Sequence, residues 1–256
     1  MTIDLIALVQ PYLLIFARIS AVFMMAPGLS DTHIPMRYRL LFSLALAIAF
    51  KDILPIPITS EKIDGVLLVA LLVQETIIGS IIGFIARLLL SILDVLGNIL
   101  SLQTGLGNAM VFNPSMGGQT PVLDNFVILS GLMLFFAMDL HYLVIRSVIQ
   151  SYHFFPIHTD HPLLGHFLSS LEKLPLFFSK SFTIACQLSL PFLILGVVFQ
   201  FMLGLLNRVV PNIQIFFISL PLQILLGFVL IFTILALVLH LSLQNFSELY
   251  AEFLPQ

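Results

Sequence analysis

Charge is what this chain has least of: Lys, Arg, Asp and Glu make up 9% of its 256 residues, where a soluble globular domain carries roughly a quarter. With 59% hydrophobic residues and a mean hydropathy of +1.12, too little polar surface is left for a water-soluble body, and the chain reads as an integral membrane protein in contact with lipid. Cysteine is nearly absent as well. The single Cys186 excludes a disulfide framework and a cysteine metal site. A net charge of −3 and a pI near 6.1 leave no basic patch for nucleic acid. The chemistry-bearing motifs are missing too: no HExxH helix, no G-K-[ST] phosphate loop and no GxSxG elbow occurs. No enzyme and no cofactor is therefore expected. The N-terminus, MTIDLIALVQPYLLIFARIS, lacks a basic leader and reads as a retained first helix.

Apolar segments run over 5–26, 40–50, 66–104, 122–149, 174–206 and 212–247. The second spans only ~16 Å as a helix, too short for a hydrocarbon core of ~30 Å. The third has the opposite fault, ~58 Å as one helix. Along it Thr76, Ser80, Gly83, Arg87, Ser91, Asp94, Asn98, Ser101 and Gly105 recur at the α-helical period and form one small or polar stripe. That stripe is either a groove for a closely packed helix or a face lining water, and both readings keep lipid away from it.

Arg18, Glu75, Arg87, Asp94 and Asp139 lie inside apolar stretches, with His141 and Arg146 close behind. An ionised group at the bilayer centre costs about 2.5–3.5 kcal/mol on insertion scales, so each should face protein or water. Cover by neighbouring subunits, or helices lying outside the bilayer, is the expected resolution, and it points to a multi-subunit assembly. His153, His158, His161 and His166 crowd near Asp160, but Pro156, Pro162 and Gly165 break any register that would converge them on a metal, and no metal site is expected.

Between Asp94 and Asp124 no charged side chain occurs. Within that stretch TGLGNAMVFNPSMGGQTP, residues 104–121, holds four glycines and two prolines and must be a loop. Gly105-Leu106-Gly107 followed by Asn108-Ala109-Met110 fails the GxGxxG pattern at its last glycine, and it follows a helix rather than a strand.

Four stretches together carry a resemblance: RISAVFMMAPGLSDTHIPMRYRLLFSLALA; Gln74-Glu75 with Gly79, Gly83 and Arg87; QTGLGNAM through Asn113-Pro114 to FFAMDLHYLVIRSVIQSYHFFP; and LLNRVVPNIQIFFISLPLQILLGF. They resemble, in order over residues 18–228, the FliR family of flagellar biosynthetic proteins, relatives of the injectisome export components. The chain departs from the family pattern at Asn113, where an acid is usual before proline, at Asp139, where glycine is frequent, and at Asn212 and Gln214, whose amides have exchanged places. The resemblance implies an all-α membrane protein of long helices and hairpins, with residues 1–173 FliP-like and 174–256 a FliQ-like hairpin. It implies a subunit of a helical export gate in the bacterial inner membrane at the flagellar basal body. Its partners would be FliP, FliQ, FlhB and FlhA, and its cargo unfolded flagellar proteins. The family places a plug at the pore's narrowest point, here Gly105, Leu106, Gly107, Asn108, Met110, Val111, Phe112, Asn113, Pro114, Met116, Gly117 and Gly118. Glu75, Arg87, Asp94, Asn98, Asp139, His141, Arg208, Asn212 and Gln214 are expected at subunit contacts or as buried polar groups. A loop without charge can seal against ions, and glycine and methionine let it re-pack. The alternatives are an injectisome gate subunit, or a small proton-coupled transporter working through Arg87, Asp94 and Asp139.

Overall fold

The computed structural model describes residues 5–28, 30, 34–51, 54, 65–107, 122–157, 174–209 and 215–253, and every regular element among them is an α-helix. These are α1 (Leu5–Met25), α2 (Met36–Phe50), α3 (Gly65–Leu90), α4 (Ile92–Gln103), α5 (Val122–Ala137), α6 (Leu140–Phe154), α7 (Leu174–Val209) and α8 (Ile215–Phe253). Among the described residues three apolar helices are long enough to cross a membrane, 65–103 taken together, α7, and α8 over Ser219–Glu252, or four if the bent pair Val122–Ala137 and Leu140–His153 is one span. At 36 and 39 residues, α7 and α8 each reach beyond 50 Å, so both outrun a hydrocarbon core of ~30 Å.

The helices differ from the apolar segments at three places, each with a local cause. The second starts earlier than its apolar run, directly after Pro35 (φ −56°, ψ 138°), because proline blocks any continuation upstream while Met36–Arg39 tolerate the first turn. Its 15 residues still give only ~22 Å. The third is interrupted at Ser91, although Val95 N still donates to Ser91 O at 3.1 Å. The fourth is two helices, bent by 67°. The bend centres on Asp139, which adopts φ 59°, ψ 21°, the left-handed conformation that glycine enters freely and Asp tolerates. A glycine preference at this position therefore has a backbone reason.

Two compact units emerge, neither continuous in sequence. The first comprises Met1–Leu89, Asp139–Phe178 and Leu249–Gln256; the second, Leu90–Met138 and Ser179–Glu248.

In the first unit α1 packs on α2, with Phe23 edge-on to Phe42 at 5.3 Å, and lies close against α3. A Cβ on Gly79 would strike Arg18 O and come within 2.9 Å of Ala21 Cβ, and one on Gly83 would come within 2.7 Å of Met25 Cβ and Val22 O. This close approach brings Glu75, one turn before Gly79, up to Arg18. Both side chains are fully buried, and the pair is bidentate: Arg18 Nε donates to Glu75 Oε2 at 2.6 Å and Nη2 to Oε1 at 2.9 Å. The remaining fork reaches α6 and its end, Nη1 to Ser151 Oγ at 3.0 Å and Nη2 to Phe155 O at 2.8 Å, while the guanidinium lies 3.8 Å over the Tyr152 ring. Each charge is expected to face protein or water, covered by a neighbouring subunit or held outside the bilayer; for these two the cover comes from the chain's own helices.

The last turns of α8 also belong to this unit. Tyr250 is fully buried, and its hydroxyl lies 2.8 Å from Ser147 Oγ. Ser147 spends its own proton on Val144 O at 2.6 Å, so the tyrosine is the donor. Tyr250→Phe leaves Ser147 that bond and removes one neutral hydrogen bond, a loss of about 0.5–1.5 kcal/mol; a melting-temperature drop of a few degrees, with normal accumulation, is the expected result.

The second unit closes around Leu93, Leu96 and Leu100 of α4, Leu123 and Val127 of α5, Phe192 of α7, and Ile231, Leu235, Val238 and Leu239 of α8. Among the described membrane-length helices, α7 and α8 are the least covered. Only 22% of the most apolar window of α7 is buried, against 50% for 65–103, and Phe201 and Phe232 stand 68% and 87% exposed. Such faces require lipid or another subunit.

Candidate functional site: the stem of the charge-free loop

The loop that follows α4 begins from a packed stem. The final carbonyls of a helix have no partner within it, and here each finds one. Leu100 O accepts from Thr104 N at 2.9 Å, Leu102 O from Gly105 N at 3.2 Å, and Ser101 O from Gly107 N at 2.9 Å. Gln103 O takes its hydrogen bond from α8, where Gln223 Nε2 donates at 2.8 Å. Gly105, at φ +78°, turns the chain out of the helix through a conformation that disfavours other residues.

Two further glycines let the C-terminal helices close on this stem. A Cβ on Gly196 of α7 would strike Gln103 Oε1, and one on Gly227 of α8 would come within 2.7 Å of Thr104 Cβ and 3.0 Å of its Cα. Thr104 is 1% exposed, and Gly105 and Gly107 are buried, with Leu106 packed against the unit's core. Of the expected plug residues, Gly105, Leu106 and Gly107 are therefore stem. Asn108, Met110, Val111, Phe112, Asn113, Pro114, Met116, Gly117 and Gly118 lie outside the described residues, as do Asn212, Gln214, His158, His161 and His166.

The polar stripe divides. Thr76, Arg87, Asp94 and Asn98 are exposed and Ser80 and Ser91 half-buried, whereas Gly83, Ser101 and Gly105 are buried. Gly83 belongs to the α1-facing line with Glu75 and Gly79. Asp139, Arg146 and Arg208 are exposed; Arg208 sits in the last turn of α7, where the helix dipole favours a cation. His141 is half-buried against Tyr142, ring centroids 4.3 Å apart. Among the described residues no group of His, Cys, Asp and Glu could hold a metal ion.

The single-chain reading missed Asp124, Gln223, Gly196 and Gly227. Asp124 is 6% exposed, lies in the first turn of α5, and its Oδ1 faces Gly97 without a hydrogen-bond partner. Its position, closing a long charge-free stretch, was the one available signal. Gln103 stood in view within QTGL, but nothing local shows that its carbonyl, rather than its amide, makes the contact with α8.

The model for bacterial export proteins, family 1, matches residues 9–249. The chain belongs to that family, the FliR family. The FliR protein of Caulobacter vibrioides is 34% identical over 246 residues, covering 94% of this chain and 93% of its own length. The Bacillus subtilis protein is 27% identical over 259 residues, 97% of both chains, and that of Escherichia coli K12 29% over 233 residues, 91% of this chain and 87% of its own. All three are flagellar biosynthetic proteins. This FliR-family chain is accordingly an all-α membrane protein and a component of flagellar export, and the all-α reading of its sequence is met by the structure.

Proposed function

We propose that this chain is a non-enzymatic subunit of the flagellar export gate in the bacterial inner membrane at the basal body. There it assembles with FliP and FliQ subunits, alongside FlhB and FlhA, into the pore that unfolded flagellar proteins cross, with the loop after α4 as its seal. The observation that carries the reading is the pairing of a long charge-free loop with a rigid stem: every α4 carbonyl from Leu100 to Gln103 is hydrogen-bonded, while no charged side chain occurs from Val95 to Leu123. A seal needs both, apolar bulk that offers ions no counter-charge and an anchorage that holds it in place. Flagellar relatives at full length favour the flagellar over the injectisome setting. The transporter alternative needs Arg87, Asp94 and Asp139 enclosed around a solute, and all three are exposed.

The test is deletion of 106–118, and of 108–118 to spare the stem residues Leu106 and Gly107, in a cell assembling the whole gate, read as membrane ion permeability. The expected result is a leak at least tenfold above the intact gate with assembly preserved. Unchanged permeability in an assembled gate would end the seal reading.

A further inference from the structure

Among the described residues, the C-terminal helices meet the loop where it leaves α4. Gln223 donates to the one exit carbonyl, Gln103 O, that the turn itself does not satisfy. Gly196 and Gly227 sit where any side chain would displace Gln103 or Thr104. Both glutamines are half-buried, and separating their hydrogen bond leaves a donor and an acceptor to find other partners. The space beside Gly227 is filled by Thr104 down to its Cα, and that beside Gly196 by the Gln103 amide, so the helices meet the stem without a gap.

From these contacts we infer that Gly196, Gly227 and Gln223 are positioning residues for the loop. They clasp residues 103–107 as a stem that stays closed throughout export. The inference rests on the seal reading for its meaning, and on the stem geometry for its content. It reassigns Gly105: its glycine identity serves a fixed left-handed turn, φ +78°, and not a hinge.

A covalent lock separates the possibilities. In a Cys186→Ser background, Thr104→Cys with Gly227→Cys places two thiols on Cβ positions 2.7 Å apart, within about 1 Å of the ~3.5–4.5 Å that a disulfide adopts. The full chain is expressed with the rest of the export apparatus in a flagellated cell and oxidised. The cross-link is read by gel mobility, export by secreted flagellar protein, and sealing by ion permeability. Because Gly227→Cys itself adds a Cβ against Thr104, the reduced double variant is the reference, and the expected result of oxidation is near-complete cross-linking, export within about twofold of that reference, and no leak beyond it. Export lost on oxidation and restored by reductant would show that the stem must open, and would overturn the inference. So would failure of the cysteines to cross-link in assembled gates, since the clasp requires lasting contact. Gly227→Val and Gln223→Ala complement the lock: each should raise permeability several-fold with the chain still assembled, and two tight gates would equally overturn it. If deletion of 106–118 causes no leak, the seal reading fails on its own, while the cross-link still reports whether the stem moves.

Discussion

Arg18→Ala is expected to remove the folded chain from the membrane. It strands Glu75, whose side chain is fully buried, and leaves Ser151 Oγ and Phe155 O without their donor. Removing one partner of a buried ion pair costs about 3–5 kcal/mol, a large share of the 5–15 kcal/mol that holds a typical domain together. Loss should appear as a melting temperature lowered by ten degrees or more in the detergent-solubilised assembly, or as degradation before assembly. The penalty belongs to the stranded charge rather than to the absence of a favourable bond. Arg18→Met with Glu75→Leu therefore ought to recover most of the accumulation, because an apolar pair of similar volume replaces a buried ion pair at little net cost. Equal damage from the single and the double substitution would show that the guanidinium's contacts to α6 matter more than its neutralisation by Glu75.

The second large effect comes from Gly79→Leu. The atoms a side chain would meet are backbone Arg18 O and Ala21 Cβ, neither of which can rotate away. Overpacking costs typically 1–3 kcal/mol, and here it also pulls Arg18 off Glu75, which lies one turn along the same helix face. The two losses should therefore be coupled. In a cycle of Gly79→Leu and Glu75→Gln, the double variant should melt well above the sum of the single effects. Gly204→Ala is the control: nothing lies within 4 Å of that Cβ, and Ala in a helix interior should be neutral or stabilising by up to about 1 kcal/mol. Additive effects in the cycle would mean that the close approach of α1 and the ion pair are separate features.

These residues also show how far the sequence could be read. Glu75, Gly79 and Gly83 stood in view as a spaced motif, and the period of α3 put them on one face, yet the stripe chosen from composition ran through Gly83 alone of the three. The spacing of small residues names a close contact but not its partner; here the partner is α1, which shares with α3 no local signal of pairing. The bend at Asp139 was hidden although a charge marks the place, because a lone Asp in an apolar run reads as a buried polar group as readily as a turn, and one left-handed residue leaves no trace in hydropathy. The stem was hidden for a different reason. Its contacts are backbone carbonyls and missing Cβ atoms, which carry no periodicity at all. What composition does record is the shortage of charge, and that shortage alone placed the protein in the membrane and marked the loop.

Tyr250, donating into Ser147 from the far end of the chain, bears on biogenesis. The first unit draws on 1–89, 139–178 and 249–256, so during synthesis its core lacks this fully buried aromatic until residue 250 has been made. The early helices must wait in the bilayer half-packed, with Arg18 and Glu75 already matched and holding α1 to α3 while the later segments arrive. Splitting the gene between residues 173 and 174 would give two pieces, each missing part of both units, and neither half can be expected to mature alone.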